Sequence, residues 1–472
     1  MTDAAVIARL PALLAAQRAA FDAEPRRALE RRREDLKAIE DLAVSLADEL
    51  AEAVSADFGG RSKNETRLVD VAPVAQAARH ARRHLAAWAR PTRVATPATL
   101  APGRSLIRHE PKGVVGVVSP WNYPVQLALS PIVSALAAGN RVMLKPSELT
   151  PNTNAVLRRA LAARFPEERV AVVEGGPDVG KAFCDLPFDH LFYTGSTRVG
   201  RAVAQAAAAN LTPVTLELGG KSPAIVLPGA EVQDAAHPIA WGRFLNAGQT
   251  CVAPDYVLAP SASARAVAEA VIARAGAFYP EAAGDPDYTA IVSDRHYARL
   301  DAMIEEARAG GAAVLQPPHD AEAARRARKI PPTVLLDPPA GCLAMQEEIF
   351  GPILPVVGYD ALDDAIDRVA AGERPLALYV FGRDRAAIER VLDRTWSGGV
   401  SLNAAMLHLG NEDLPFGGTG ASGYGAYHGR RGFEEFSHAR AVFDAPPRHT
   451  SRLVAPPYGW LFRAISSFAM KR

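Results

Sequence analysis

Apolar residues recur at helical spacing through the first ninety residues. Positions 4–20 are rich in Ala and Leu, and after a break at Pro25 the segment 26–58 carries apolar residues three to four positions apart. Segment 65–89 shows the same period. Such spacing gathers apolar side chains on one face of a helix. The pattern therefore predicts that the chain begins with helices.

The pattern changes after residue 90. Residues 91–110 contain three prolines, a glycine and several β-forming residues, which predicts an excursion from the first domain in the form of a hairpin. Short apolar runs then alternate with helical patterns, and we predict strands at 114–118, 141–145, 170–173, 190–193 and 212–218. Short buried strands separated by helices predict a parallel sheet with helices on both faces. Ligands bind such sheets at the carboxyl ends of the strands.

The second half of the chain repeats this style. We predict strands at 224–227, 256–258, 353–358 and 377–381, with helices at 234–245, 263–275, 294–309 and 385–395. Residues 437–445 predict a final strand. The segment 456–472 predicts a short helix with one apolar face. The fold class is therefore α/β, with a Rossmann-like parallel-sheet domain followed by a second α/β domain.

Composition and charge narrow the class of protein. With 472 residues and a net charge of +1, the chain gives no reason to expect a nucleic-acid partner. The three cysteines, Cys184, Cys251 and Cys342, are far apart in sequence, so we expect neither a metal site nor a disulfide framework. A reducing cytoplasm fits this use of cysteine. The first residues do not resemble a signal peptide, and no unbroken apolar run is long enough for a transmembrane span.

Two residues with catalytic potential bracket a stretch in the middle of the chain. Glu217 ends a predicted strand and precedes two glycines, and Cys251 follows 34 residues later after a predicted helix. A cysteine attacks as thiolate, and a carboxylate near buried surface tends to have a raised pKa that suits a base. From the residues alone, Glu217 has equal weight as a base and as a structural carboxylate satisfied by the glycine amides. A lone cysteine is most often a small buried hydrophobe, which is our expectation for Cys184 and Cys342.

Seven motifs together resemble the aldehyde dehydrogenase superfamily, over residues 30–447. They are PWNYP at 120–124, KPSE at 145–148, TGS at 194–196, ELGGK at 217–221, GQTC at 248–251, EEIFGP at 347–352 and PFGG at 415–418. The resemblance implies an NAD(P)-binding domain over 1–90 and 111–218 and a catalytic domain over 219–430. It also implies a small β bridging and oligomerisation segment, 91–110 with 431–447, and leaves a C-terminal tail, 448–472.

The resemblance implies a role for each candidate catalytic residue. Cys251 is the nucleophile, Glu217 activates water, and the Asn122 amide holds the oxyanion together with the Cys251 backbone N–H. Without the resemblance, Asn122 would be an ordinary turn former. The PFGG loop is given a structural role. The Glu at the ELGGK position implies hydrolysis of a thioester to a carboxylic acid rather than transfer to coenzyme A, and the complete Asn, Glu and Cys set counts against a non-catalytic member.

The remaining motifs imply a dinucleotide site. Lys145 and Glu148 would hold ribose hydroxyls, and the start of the helix after TGS favours a pyrophosphate near Ser196. Glu348 would bind the nicotinamide ribose and Phe350 would pack beside the nicotinamide. The predicted cofactor-binding residues are Trp121, Lys145, Ser147, Glu148, Gly195, Ser196, Leu218, Glu348 and Phe350. Glu148 favours NAD because it would repel a 2′-phosphate, and NADP stays open because Lys145 can compensate.

The substrate is the finer question. KPSEL and GFEEFSHARAV resemble the class 3 branch, and within it the coniferyl aldehyde dehydrogenases, which implies a hydroxycinnamyl aldehyde and a homodimer. Predicted pocket residues are Tyr123, Leu127, Met406 and His408, the last as pocket wall rather than acid–base catalyst. Medium- or long-chain aliphatic aldehydes are the alternative, since Ala404 and Ala405 depart from the family pattern. A non-catalytic member and a thiol hydrolase are further alternatives.

The tail has two interpretations. We expect its short helix to pack on its own subunit or on the partner subunit. We favour packing because so short an apolar face would bury little surface in lipid. A weak interfacial contact with a membrane is the alternative.

Overall fold

The computed structural model describes residues 2–447, 449, 451 and 455–470. Within them the strands form three sheets of three, seven and six strands. Helices cover the faces of the two larger sheets, as the alternating pattern predicted. The α/β class expected from the sequence, with one parallel-sheet unit followed by a second, is what the chain adopts.

The chain begins with helices. They are α1 (Asp3–Ala23), α2 (Leu29–Ser45), α3 (Ala47–Phe58), α4 (Lys63–Thr66) and α5 (Ala72–Trp88), with one π-helical turn, Arg67–Val71, before α5. The segment 26–58, which has helical spacing, forms α2 and α3, because the chain leaves helical geometry at Leu46 (φ −109°, ψ 13°). An apolar period continues across such a break, so periodicity alone does not reveal it.

Helix α1 is long and apolar enough to cross a bilayer by length and composition. Three of its leucines are buried, and Gln17 donates hydrogen bonds to the backbone carbonyls of Val142 at 3.0 Å and Glu167 at 2.7 Å. The helix therefore packs against the six-stranded sheet that contains Val142. Its apolar residues do not form an unbroken run in the sequence, because Arg9 and Arg18 interrupt them.

The smallest sheet combines distant segments. It contains β1 (Thr92–Val94), β2 (Arg104–Pro111) and β16 (Ser437–Asp444), in the order β1-β2-β16, all antiparallel. Helix α17 (Gly429–Glu435) leads into β16. The hairpin and the final strand expected from the sequence thus lie together in one sheet.

The six-stranded sheet holds the first parallel unit. Its strands are β3 (Val114–Val118), β4 (Arg141–Lys145), β5 (Val170–Val172), β6 (His190–Thr194), β7 (Val214–Glu217) and β15 (Gly423–Tyr424). The helices between them are α6 (Gln126–Ala138), α7 (Pro151–Ala162), α8 (Pro177–Cys184) and α9 (Thr197–Ala208). The order is β15-β7-β6-β3-β4-β5, and only β15 is antiparallel, pairing Gly423 with Glu217. This pairing fastens the loop after PFGG to the strand that ends in Glu217.

The seven-stranded sheet forms the second unit, in the order β10-β11-β12-β9-β8-β13-β14. Its strands are β8 (Pro223–Val226), β9 (Tyr256–Pro260), β10 (Ala313–Leu315), β11 (Thr333–Leu336), β12 (Ile353–Tyr359), β13 (Ala377–Phe381) and β14 (Gly399–Leu402). Its helices are α10 (Val232–Phe244), α11 (Ser261–Phe278), α12 (Asp294–Ala309), α13 (Ala321–Arg326), α14 (Leu343–Gln346), α15 (Leu362–Ala371) and α16 (Arg385–Arg394). Strands β10, β11 and β14 were not predicted from the sequence. The tail carries α18 (Trp460–Ala469).

Candidate active site

A cavity of about 250 Å³ collects most of the predicted catalytic and cofactor residues. Its wall includes Trp121, Asn122, Leu127, Gly195, Ser196, Glu217, Cys251, Glu348 and Phe350. Apart from Leu127 on α6, these residues come from five separate motifs. Folding thus brings Cys251, Glu217 and Asn122 to one space.

The chain turns sharply just before Cys251. Asn246, Ala247 and Gly248 have φ values of 50°, 49° and 71°, so three consecutive residues adopt the left-handed conformation. Such backbone is costly outside glycine and persists only where the surroundings enforce it. At Gly248 a side chain would also lie 2.2 Å from the Gly351 carbonyl oxygen. The turn leaves the Cys251 side chain partly exposed at the cavity, whereas Cys184 and Cys342 are buried, as predicted.

The side chain of Gln249 braces this turn. Its Nε2 donates to the carbonyls of Asn246 at 3.0 Å and Ala290 at 3.1 Å, and its Oε1 accepts from the Val292 N–H at 3.0 Å. The nucleophile loop is therefore tied to a segment some forty residues further along the chain.

The acid–base balance of the site follows from burial. Glu217 is buried at the end of β7, and burial raises its pKa to about 8. Burial, together with the Glu217 and Glu348 carboxylates, raises the pKa of the Cys251 thiol well above its ordinary value. Neither Glu217 oxygen has a hydrogen-bond partner within the described chain. The alternative of a carboxylate satisfied by the following glycine amides therefore does not match the geometry.

Asn122 lies in the rigid PWNYP turn after β3. Its Nδ2 donates to the Gln249 carbonyl at 3.1 Å, and its own carbonyl accepts from Asn246 Nδ2 at 3.0 Å. An amide Nδ2 carries two N–H groups. One N–H is thus used to hold the nucleophile loop and the other is available to a ligand in the cavity.

Two acidic and aromatic residues of EEIFGP face the same cavity. Burial raises the pKa of Glu348 to about 8, and its Oε1 has no hydrogen-bond partner among the residues described. A side chain at Gly219 would lie 2.1 Å from that oxygen, so the glycine lets the carboxylate approach. The Phe350 backbone has a φ of 50°, and its ring packs edge-on against the Trp121 ring with 5.4 Å between the ring centres. A carboxylate oxygen without a partner beside an aromatic wall suits a sugar hydroxyl and a flat ring, so the residues fit a nicotinamide dinucleotide.

The rest of the predicted cofactor site lies at the ends of β4 and β6. Lys145 is buried, its Nζ donates to the Pro146 carbonyl at 2.8 Å, and the Glu148 carboxylate lies 3.9 Å away. Burial lowers the pKa of Lys145, and Glu148 opposes that shift. Ser147 Oγ accepts from the Leu149 N–H at 3.3 Å. None of these three residues is among those that line the cavity holding Cys251.

The helix after TGS begins at the cavity. Ser196 is the N-cap of α9 and accepts from the Val199 N–H at 3.4 Å. The start of such a helix attracts anions through its free N–H groups. Leu218 is buried, and a side chain at Gly200 would lie 2.7 Å from it, so Leu218 packs beneath this helix rather than lining the cavity.

The predicted substrate residues divide into two groups. Leu127 lines the cavity, whereas Tyr123 and Met406 are buried and, like His408, are not among its lining residues. The Tyr123 hydroxyl shares a 2.7 Å hydrogen bond with Thr250 Oγ1, next to the nucleophile. His408 is half-buried, and its Nδ1 lies 2.8 Å from Ser401 Oγ. Burial lowers the pKa of His408, which leaves a neutral ring.

Five further residues line the cavity that sequence reasoning missed. They are Pro120, Thr194, Gly219, His296 and Arg299. Pro120, Thr194 and Gly219 lie inside the motifs and could have been included. His296 packs edge-on against the Trp121 ring at 5.2 Å, and Arg299 Nη1 donates to the Glu348 carbonyl at 3.4 Å. Both stand on α12, where no motif drew attention to them.

Known proteins similar to this chain identify its family. A family model described as the aldehyde dehydrogenase family matches residues 5–442. The chain therefore belongs to the aldehyde dehydrogenase family and is an NAD(P)-dependent enzyme. The family and the enzyme class predicted from the motifs are confirmed.

Individual relatives refine the branch. A Caulobacter vibrioides protein named probable coniferyl aldehyde dehydrogenase is 50% identical over 426 residues, covering 89% of this chain and 88% of its own length. Mus musculus aldehyde dehydrogenase family 3 member A2 is 43% identical over 337 residues, covering 71% of this chain and 68% of its own. The solved structure of Staphylococcus aureus AldH is 38% identical, with a TM-score of 0.92, and the match covers 97% of this chain and 99% of that one. The predicted resemblance to class 3 and coniferyl-type enzymes is confirmed.

Proposed function

We propose that the chain oxidises an aromatic, coniferyl-type aldehyde to its carboxylic acid, with Cys251 as nucleophile, Asn122 at the oxyanion and Glu217 as base. The observation that carries the proposal is the unpartnered, buried Glu217 carboxylate facing the same cavity as Cys251 and Asn122. The relatives named for coniferyl aldehyde support the aromatic substrate.

The chemistry proceeds on Cys251. The Cys251 thiol releases its proton to water, and the resulting thiolate adds to the aldehyde carbon while the second Asn122 N–H and the Cys251 backbone N–H hold the oxyanion. A bound nicotinamide supplies a hydride acceptor. The resulting thioester on Cys251 is attacked by a water whose proton passes to Glu217, and the carboxylic acid leaves. Glu348 and Phe350 would hold the nicotinamide end of the cofactor, and the start of α9 would hold its pyrophosphate.

A substrate panel tests this assignment. Rates of NADH and NADPH formation are measured with coniferaldehyde, benzaldehyde, hexanal and a long-chain aldehyde. The proposal expects the highest kcat/KM with coniferaldehyde. A preference for the long-chain aldehyde would replace the aromatic substrate by an aliphatic one, and no reaction with any aldehyde would favour a non-catalytic protein or a thiol hydrolase.

We also propose a preference for NAD over NADP. A 2′-phosphate would lie near the Glu148 carboxylate, and like charges at close range repel. Glu148→Gln should therefore improve kcat/KM with NADP several-fold and change it little with NAD. An unchanged NADP value would contradict this role of Glu148.

The assembly and location are further parts of the proposal. We assign residues 1–90 and 111–218 to cofactor binding, 219–430 to catalysis, and the sheet β1-β2-β16 to contact within a homodimer. Strand β16 is an edge strand, and unpaired edges favour pairing with another chain. Sedimentation of the wild type and Phe443→Lys, which changes an exposed side chain of β16, tests this interface. We propose a cytoplasmic location, consistent with three free thiols.

For the tail we propose that α18 packs on the partner subunit. No residue of α18 is buried in the single chain, and Trp460 and Phe468 are largely exposed. Deletion of residues 456–472 should then weaken the dimer. Flotation of the full-length protein with liposomes, lost on deletion, would support the peripheral membrane contact instead.

A further inference from the structure

A fully buried cation lies beneath the PWNYP turn. Arg61 is 0% exposed on its side chain, and its Nη1 donates to the Asn122 carbonyl at 2.8 Å. Its guanidinium lies 4.8 Å from the centre of the Tyr123 ring and 5.2 Å from that of Phe58. Burying a charge is costly unless it is paired and hydrogen-bonded. The placement of this cation against the oxyanion residue is therefore unlike an ordinary surface arginine.

Two buried carboxylates accompany the cation. Glu65 Oε1 lies 3.9 Å from Arg61 Nη2, and Asp70 Oδ2 lies 3.7 Å from Nη1. Asp70 stands in the π-helical turn, and its Oδ1 accepts from the N–H groups of Val125 at 3.1 Å and Gln126 at 2.6 Å. π-helical turns occur often at functional sites.

Arg61 and Asp70 thus hold opposite ends of one turn. Arg61 binds the carbonyl of Asn122, and Asp70 binds the first N–H groups of α6, only a few residues later. On its other side, Asn122 is held by Asn246, which binds the same carbonyl at 3.0 Å. The backbone of Asn122 is fixed from both domains, which leaves its amide a narrow range of positions.

We propose that Arg61 is a positioning residue for the oxyanion hole, because it sets the distance between the Asn122 amide and the Cys251 backbone N–H. The inference rests on the catalytic roles proposed above for Asn122 and Cys251. Arg61 does not line the cavity that holds Cys251, so it would act through Asn122. Misplacement of a catalytic group by about 1 Å can cost about 100-fold in rate, so the effect should be large.

A double-mutant cycle tests the proposal. Asn122→Ala should lower kcat by about 100- to 1,000-fold, and Arg61→Met by about 10- to 100-fold. The double variant should match Asn122→Ala within about twofold, because a misplaced amide costs nothing once the amide is gone. Arg61→Lys keeps one N–H donor and should recover kcat to within about tenfold of the wild type.

Ester hydrolysis is a second assay of the oxyanion hole. Cleavage of p-nitrophenyl acetate without cofactor passes through a tetrahedral oxyanion, so it should fall in parallel with kcat in Arg61→Met. The KM for NAD should stay within about twofold. A role confined to folding would lower the melting temperature without this pattern.

Arg169 supplies the matched control. It is also buried, and it binds Asp35 and the Asn140 carbonyl rather than the turn. Arg169→Lys should lower stability and leave kcat near that of the wild type, and its effect should multiply with that of Asn122→Ala. If Arg61→Met does not fold, the same cycle with Arg61→Lys decides.

Two outcomes overturn the inference. Either kcat is unchanged in both Arg61 variants, or the effects of Arg61 and Asn122 multiply in full. A third outcome concerns the proposed function instead, since an active Asn122→Ala variant would remove the role of Asn122 itself.

Discussion

Replacement of Glu217 by Gln separates the two halves of the reaction. The substitution keeps the size of the side chain and removes the carboxylate that is proposed to activate water. Hydride transfer does not need that carboxylate, but hydrolysis of the thioester does. The variant should therefore produce about one NADH per active site in a burst and then continue slowly, with steady-state kcat lowered by about 100- to 10,000-fold.

The pH dependence follows from the pKa of Glu217. Burial raises this pKa to about 8 because the low-dielectric surroundings disfavour the charged form. The active base is the ionised form, so about one tenth is active at pH 7 and about nine tenths at pH 9. Where hydrolysis limits the rate, wild-type kcat should rise by roughly tenfold over this range, and Glu217→Gln should lose the rise.

The assay is stopped-flow formation of NADH with benzaldehyde or coniferaldehyde at pH 7, 8 and 9, followed into the steady state. Glu412 supplies a matched control. Burial also raises its pKa, to about 7, yet it does not line the cavity that holds Cys251. Glu412→Gln should keep both the burst and the steady-state rate. A tenfold rise with pH that survives in Glu217→Gln, or the absence of a burst, would refute the reasoning.

Two other changes test the surroundings of the site and the core. Gly219→Ala would place a methyl group 2.1 Å from Glu348 Oε1, so the KM for NAD should rise at least tenfold. Gly180→Ala is the control and should leave this KM unchanged, because no neighbouring atom lies within 4 Å of the added carbon. Steady-state kinetics at varied NAD concentration measures both variants. Ile39→Ala removes a fully buried side chain of α2 and should lower the free energy of unfolding by about 2–5 kcal/mol in urea titrations, while the exposed Val44→Ala should change it by less than about 0.5 kcal/mol.

Much of the fold could be read from the sequence because its strands are short apolar runs separated by helices. That pattern is local, so it predicted the five parallel strands from β3 to β7. Strands β10, β11 and β14, which were not predicted, lie at or next to the edges of the seven-stranded sheet, and their place depends on pairing with neighbouring strands. Strand β15 is only two residues long and owes its place to the pairing of Gly423 with Glu217, which no local pattern encodes.

The site shows the same division. Cys251, Glu217 and Asn122 stand in motifs and were named from the sequence. His296 and Arg299 reach the cavity from α12, forty-five or more residues after the nucleophile, without any motif. Arg61 was also missed, because its proposed role depends on a hydrogen bond to Asn122, 61 residues further along the chain. Contacts between distant segments are set by packing, which a single sequence does not display.

Mass spectrometry of the Glu217→Gln variant, trapped with coniferaldehyde and NAD and then digested, tests the central claim most directly. The account predicts one acyl group per chain, on the peptide that contains Cys251 and removable by hydroxylamine. An acyl group on Cys184 or Cys342 instead, or rapid turnover with no acylated peptide, would contradict it.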